Sequence, residues 1–222
     1  MNVTKDKVSS IFFKYSIPSV LGMLAISSAS IVDGYFIGNY VGDLGLAAIN
    51  ISLPIFSLLF GLSLMLAIGG SVTSGKLIGE KDIKNASLIF TKTVICIIGF
   101  SFITCFLLFI NIETILYLLG STDDLIKISM EYMSILLIFL PFLMIGIVLD
   151  YFVRVDNRPN LAFIALLSSA VVHVLLDWIL IVHLEKGIFG AALATGISEL
   201  VLIIILLPHF FSEKGSLKFV KP

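Results

Sequence analysis

The sequence predicts an all-α polytopic membrane protein, a bundle of six transmembrane helices. Three observations predict it. Hydrophobic residues make up 59% of the 222-residue chain, and charged residues 13%, about half their share in soluble domains. The mean hydropathy is +1.13. The apolar residues also fall into six runs of about 20, the length a helix needs to cross a bilayer. The same figures exclude a disordered chain, a coiled coil and a disulfide scaffold. A net charge of −1 leaves no basic field for nucleic acid.

The spans run over about 11–38, 46–74, 87–110, 128–149, 161–183 and 188–208, in a lobe of residues 1–211. Turn formers and charges separate them: Gly42-Asp43, Gly79-Glu80-Lys81-Asp82, Gly120-Ser121-Thr122-Asp123-Asp124, Asp156-Asn157-Arg158-Pro159 and Glu185-Lys186-Gly187. Span one follows Lys5, Lys7 and Lys14, and Ser28-Ala29-Ser30 mimics a cleavage site. Its apolar run is too long for a signal peptide and carries Asp33, so it reads as a retained span. Cys96 and Cys105 lie in span three, roughly 13 Å apart on one helix. That is too far for a bridge, and both read as small apolar core residues. Residues 212–222 turn polar and basic and end in Lys218-Phe219-Val220-Lys221-Pro222, which resembles a cytoplasmic linker.

Charge bias sets the orientation. With the amino terminus inside, the inner side holds Lys5, Lys7, Lys14, Lys76, Lys81, Lys84, Lys92, Arg154, Arg158, Lys214, Lys218 and Lys221. The outer loops hold Lys127 and Lys186. Both termini are therefore expected in the cytoplasm, with the lobe in the plasma membrane.

Inside the spans, Asp33, Asp177 and Glu199 stand clear of both ends. A charge at the bilayer centre costs about 2.5–3.5 kcal/mol on insertion scales, so such residues face a bundle interior and mark an ion or substrate path. Counting 1.5 Å of rise per residue puts Asp33, Asp177 and Thr195 roughly 8–11 Å below the outer surface. His173 is one turn deeper than Asp177, and Glu199 one turn deeper than Thr195, on the same faces. Spans one, five and six thus place five polar side chains in one layer, with Asn50 and Tyr132 at its outer edge. Burial and a neighbouring carboxylate both disfavour an ionised acid. Such a cluster takes up and releases a proton or cation; the bland reading is polar glue between helices. Thr195 and Glu199 fit either reading, and Tyr132 fits an aromatic belt equally well. Gly61, Gly69, Gly70, Gly75, Gly146, Gly190, Ala191, Ala192 and Gly196 are expected to let helices approach closely. Pro18 is expected to kink span one, as a hinge or a static bend. His183 and His209, at span ends without partners at metal spacing, read as interfacial.

These residues resemble a known family. Val32-Asp33-Gly34-Tyr35-Phe36-Ile37-Gly38, followed by Leu46-Ala47-Ala48-Ile49, is similar to the opening of the multidrug and toxic compound extrusion (MATE) transporters. So are Gly69-Gly70-Ser71 leading to Lys76-Leu77-Ile78-Gly79-Glu80-Lys81-Asp82, the turn Asn157-Arg158-Pro159, and Asp177 with Gly190-Ala191-Ala192-Leu193-Ala194-Thr195. The resemblance implies an exporter of drugs or other organic cations, driven by inward flow of protons or sodium ions. It implies a cation site at Asp33 and Asp177, a threonine match at Thr195, a tyrosine match at Tyr132 and a kink proline at Pro18.

Two departures matter. The family often has asparagine where this chain has His173. An amide oxygen suits a hard cation and imidazole suits protons, so the coupling ion is expected to be H⁺ rather than Na⁺. Glu199 is a further carboxylate. The family also has two lobes of six spans, and this chain matches one. A fragment, a pair of copies or a separate carboxy-terminal half would supply the partner, a fragment being the simplest. The expected partners are thus lipid, a small organic substrate and a second six-helix lobe, with no resident metal or cofactor. Three other readings compete. A lipid-linked oligosaccharide flippase would favour cationic side chains in its cavity, and this lobe offers acids and no interior Lys or Arg. A truncated helix-packing module would use the polar layer as structure alone. An intramembrane hydrolase built on His173, Asp177 and Glu199 lacks a serine or metal constellation, so no enzyme is expected.

Overall fold

The computed structural model describes residues 8–213 and 215–221. Lys5, Lys7, Lys214 and Pro222, counted above, lie outside the described residues. The chain forms helices α1 (Val8–Tyr40), α2 (Asp43–Gly79), α3 (Ile83–Ile110), α4 (Ile112–Leu118), α5 (Ile126–Val155), α6 (Pro159–Asp177) and α7 (Gly187–Leu206). A π-helical segment, Trp178–His183, extends α6, and a 3₁₀ turn, Leu207–Phe211, ends α7. Six helices are long and apolar enough to cross a membrane, as the apolar runs predict. We call the end that carries both chain ends basal and the other distal.

The helices run past the apolar runs. α2 continues to Gly79 and α3 begins at Ile83, where the runs stop at 74 and resume at 87. α5 reaches Val155 rather than 149. Hydropathy reads only the part that faces lipid, whereas the backbone ladder continues into water. Beyond the lipid, local polar bonds sustain it. Asp82 caps α3 by accepting from the Asn85 backbone N–H at 3.2 Å and its side-chain amide at 2.7 Å. That side-chain bond, then the backbone one, hold the Asp82 carboxyl below the usual carboxylate range. The connections are tight enough to force Lys81, Asn157 and Glu185 to positive φ.

α5 is the axis of the bundle. Its apolar stretch is 67% buried, against 17% for α1. α2, α3 and α7 pack on α5, while α1 lies chiefly on α6. Gly196 permits the close crossing of α7 over α5, because a Cβ there would sit 2.3 Å from the Phe139 ring. Gly61 and Gly69 do not serve close approach: a Cβ on either meets nothing within 4 Å. Cys105 is buried as expected, but Cys96 is exposed on α3; both are free.

The tail is a strap docked on the basal end. Asp156 anchors it, accepting from Ser216 N–H at 2.9 Å and Leu217 N–H at 3.3 Å while its Oδ2 lies 2.8 Å from His209 Nε2. His209 is therefore buried against a carboxylate, not interfacial. Lys218 N–H donates to Ser87 Oγ and Val220 N–H to Thr91 Oγ1, tying the strap to α3. Leu217 is fully buried, and the Phe219 ring lies 4.8 Å from Phe90. The linker reading missed this, because a few apolar residues (Leu217, Phe219 and Val220) among polar ones give no hydropathy peak.

Two outcomes follow from these contacts. Asp156→Ala strands the buried donors of the strap, at about 1–3 kcal/mol for each group left unsatisfied. Tryptic cleavage at Lys218 should then accelerate, and an unchanged rate would contradict the anchor. Gly196→Ala overpacks the α5–α7 crossing and should cost about 1–3 kcal/mol. Gly61→Ala should stay within about 0.5 kcal/mol, as read from thermal unfolding in detergent.

Candidate functional site

Four helices bring the predicted polar layer together. Asp33 comes from α1, Tyr132 from α5, His173 and Asp177 from α6, and Thr195 from α7. Asp33, His173 and Asp177 each offer one oxygen or nitrogen within 4.8 Å of the others. That is close enough to exchange a proton or to surround one cation. His173 Nε2 lies 3.5 Å from Asp177 Oδ2 and 3.2 Å from Thr195 Oγ1, which also donates to Ala191 O. Helical spacing explains the contact: His173 and Asp177 are four residues apart, on one face of α6.

Asp177 is fully buried, and neither of its oxygens has a hydrogen-bond partner among the described residues; nor does Asp33 Oδ1. An ionised carboxylate out of water without donors costs several kcal/mol. A proton or a bound cation at these acids would offset that cost. The π-helical segment begins at the residue after Asp177. Such insertions often occur at functional sites. Apolar counting treats the whole stretch as α-helix and cannot find it.

The layer borders a cavity of about 320 Å³ in the distal half of the bundle, lined in large part by α1 and α2. Asp33, Asn50, Phe56, Tyr132, His173 and Thr195 line it. Asn50 and Tyr132 thus line the same cavity as Asp33, His173 and Thr195. Asn50 is exposed and donates to Leu46 O, while Tyr132 is buried.

Glu199 is not in this layer. It lines a second cavity of about 360 Å³ on the basal side, with Asp150, Arg154, Ser19 and Met23. One turn of α7 separates it from Thr195, enough to move it to the next opening in the packing. The two cavities meet at Ser30, Phe56, His173 and Thr195, which line both. Pro18 lines neither, and α1 passes it as one continuous helix.

Sequence reasoning missed the Asp150–Arg154 pair. Arg154 Nε donates to Asp150 Oδ2 at 2.9 Å and Nη2 to Oδ1 at 3.0 Å, while Nη1 donates to Ser19 Oγ. The lobe therefore does have an interior arginine, neutralised by a buried carboxylate four residues earlier. The i,i+4 spacing of opposite charges was the available signal, but both residues fell just beyond the span boundary drawn at 149. At the basal mouth, Lys14 Nζ and Tyr15 Oη donate to Asn157 Oδ1 at 3.0 and 2.8 Å, pinning α1 to the α5–α6 turn.

Comparison with known proteins bears on the fold that carries these residues. The multidrug export protein MepA of Staphylococcus saprophyticus is 29% identical over 98% of this chain, which covers 49% of that protein. MepA of Staphylococcus aureus is 25% identical over the same share, again 49% of its length. A MATE transporter crystallised in complex with MaD3S superposes with a TM-score of 0.88 at 22% identity. The match covers 93% of this chain and 47% of that one. An outward-facing MATE transporter gives 0.87, over 94% and 46% of the two chains at 22% identity. These structures show the shared fold. The chain spans about half the length of the relatives it matches, so the fold is one lobe of theirs. The MatE family model matches residues 18–179, well over half of the sequence. With six membrane-spanning helices in the same arrangement, this chain belongs to the MatE family of transporters, which are not enzymes.

Proposed function

We propose that this chain is the amino-terminal lobe of a cation-coupled exporter of organic, cationic compounds, and that the coupling ion is H⁺. One observation carries the reading: Asp33, His173 and Asp177 converge within 4.8 Å beside a cavity on the distal side. Asp33 and Asp177 bind the proton, His173 bridges Asp177 to Thr195, and Tyr132 and Asn50 shape the mouth. A cationic substrate in the cavity stabilises ionised carboxylates and so drives the proton off; proton return drives the substrate off. Coupling follows because the two cations compete for one pair of acids. The imidazole, where an asparagine would suit sodium, supports H⁺. Alternating access by rocking bundles needs a second lobe. It would come from the rest of a longer chain, a second copy or a separate chain. The excess of Lys and Arg at the basal end supports a cytoplasmic basal face in the plasma membrane. The flippase reading is weaker: among the described residues, the arginine that lines the inner cavity is paired with Asp150 and so is not free for a diphosphate. The named relatives are multidrug exporters.

Export is tested in vesicles carrying an imposed proton gradient and a fluorescent organic cation. Asp33→Asn and Asp177→Asn should each abolish gradient-driven efflux while leaving the protein folded; intact efflux in both sinks the proposal. Sodium provides the second test. Wild-type efflux should ignore a sodium gradient. His173→Asn should acquire sodium stimulation, and a wild type driven by sodium would reverse the choice of ion.

A further inference from the structure

We propose that Glu199 carries the coupling proton between the carboxylate layer and the basal side, with the inner cavity as its aqueous route. This rests on the export reading above and gives a role to a carboxylate that the layer leaves out.

The geometry favours a relay over a structural acid. Glu199 lines the inner cavity, and among the described residues none hydrogen-bonds or ion-pairs with it. Arg154, the obvious counterion, is held bidentately by Asp150 and capped onto Ser19. A structural glutamate in apolar surroundings would have taken such a partner. The barrier between the two cavities is thin, since His173 and Thr195 line both. His173 Nε2 faces Asp177 on one side and Thr195 on the other. From Thr195 to Glu199 is one helical turn, about 6 Å of rise. The inner cavity, about 360 Å³, has room for several waters at about 30 Å³ each.

The groups facing Glu199 are few. α5 contributes Asp150, Arg154 and Tyr151, and α6 contributes His173. α1 and α2 contribute serines and apolar side chains only. The charge of the Asp150–Arg154 pair cancels, so Glu199 is the one acid of the cavity without a partner among the described residues.

The transfer balances. The acid of the layer gives H⁺ to His173 Nε2 and becomes a carboxylate. The imidazolium passes that proton to water in the inner cavity, and the water passes one to the Glu199 carboxylate. The imidazole and the water end as they began. Glu199 then releases H⁺ at the basal mouth, beside Arg154 and Ser19.

Two measurements on the full chain test this. First, in a Cys96→Ala, Cys105→Ala background, Glu199→Cys is probed with a membrane-impermeant maleimide from each side of the membrane. Labelling from the basal side supports the route; labelling from the distal side, or none, overturns it. Second, proton release is followed in inverted vesicles. Glu199→Gln should bind the organic cation as wild type does but slow coupled proton transfer by about 100-fold. A small weak acid such as azide should restore part of the rate, which a purely structural role would not allow. A Glu199→Gln rate equal to wild type, with Asp33→Asn and Asp177→Asn inactive, sinks the relay alone. Full coupling in all three variants sinks the export reading as well.

Discussion

An acid without donors in a dry helix bundle has to be matched by a positive charge or a proton, and that constraint organises this lobe. Asp177 is where it acts most strongly, because it is fully buried with neither oxygen hydrogen-bonded among the described residues. The surrounding structure supplies the groups that can meet its demand. Asp33 approaches from α1, His173 from the previous turn of α6, and Thr195 from α7 through that histidine. Each lies on a helix whose other faces pack apolar residues, and the shift to π-helical winding follows directly after Asp177.

The scaffold around this layer is unequal in rigidity. α5 is enclosed by α2, α3 and α7, and the strap ties its end at Asp156 to His209 and the chain beyond. α1, by contrast, is little buried and lies mainly on α6. Its polar ties to the rest of the lobe are at the basal end, through Lys14, Tyr15 and Ser19. Elements with few buried contacts open most readily. A change of charge between Asp33 and Asp177 would therefore act on a lightly held α1 where it packs against α6.

Much of this was legible in the sequence, for a physical reason. A bilayer imposes a length and a hydropathy on each span, so six spans emerged from counting alone. The price of burying charge made Asp33 and Asp177 conspicuous, and a fixed rise per residue placed them at one depth with Thr195 and one turn above His173. The same reasoning failed where its assumptions lapse. Asp150 and Arg154 sit at a span end, where charges are cheap, so nothing marked them as interior. Glu199 is only one turn from Thr195, and depth counting cannot tell which side of a one-residue partition a side chain opens to. The π-helical segment has no hydropathy signature, and the strap is held by backbone donors to Asp156, which a sequence does not display. His209 looked interfacial for the same reason, as its partner is 53 residues away.

The two cavities bear on how such a lobe keeps its ion path closed. A continuous aqueous channel through the bundle would dissipate any gradient, whereas a solid core would let nothing through. Here the distal and basal cavities share four lining residues, and the polar ones are His173, Thr195 and Ser30. Imidazole is suited to this position, since it can take a proton at one moment and give it up the next without leaving its place. Phe56 is the apolar member shared by both cavities. Under the proposed coupling, a partition of this composition would pass protons by bond exchange and block hydrated ions by size. That distinction separates a proton-coupled lobe from one built to hold sodium, whose ion must be carried bodily between coordinating oxygens.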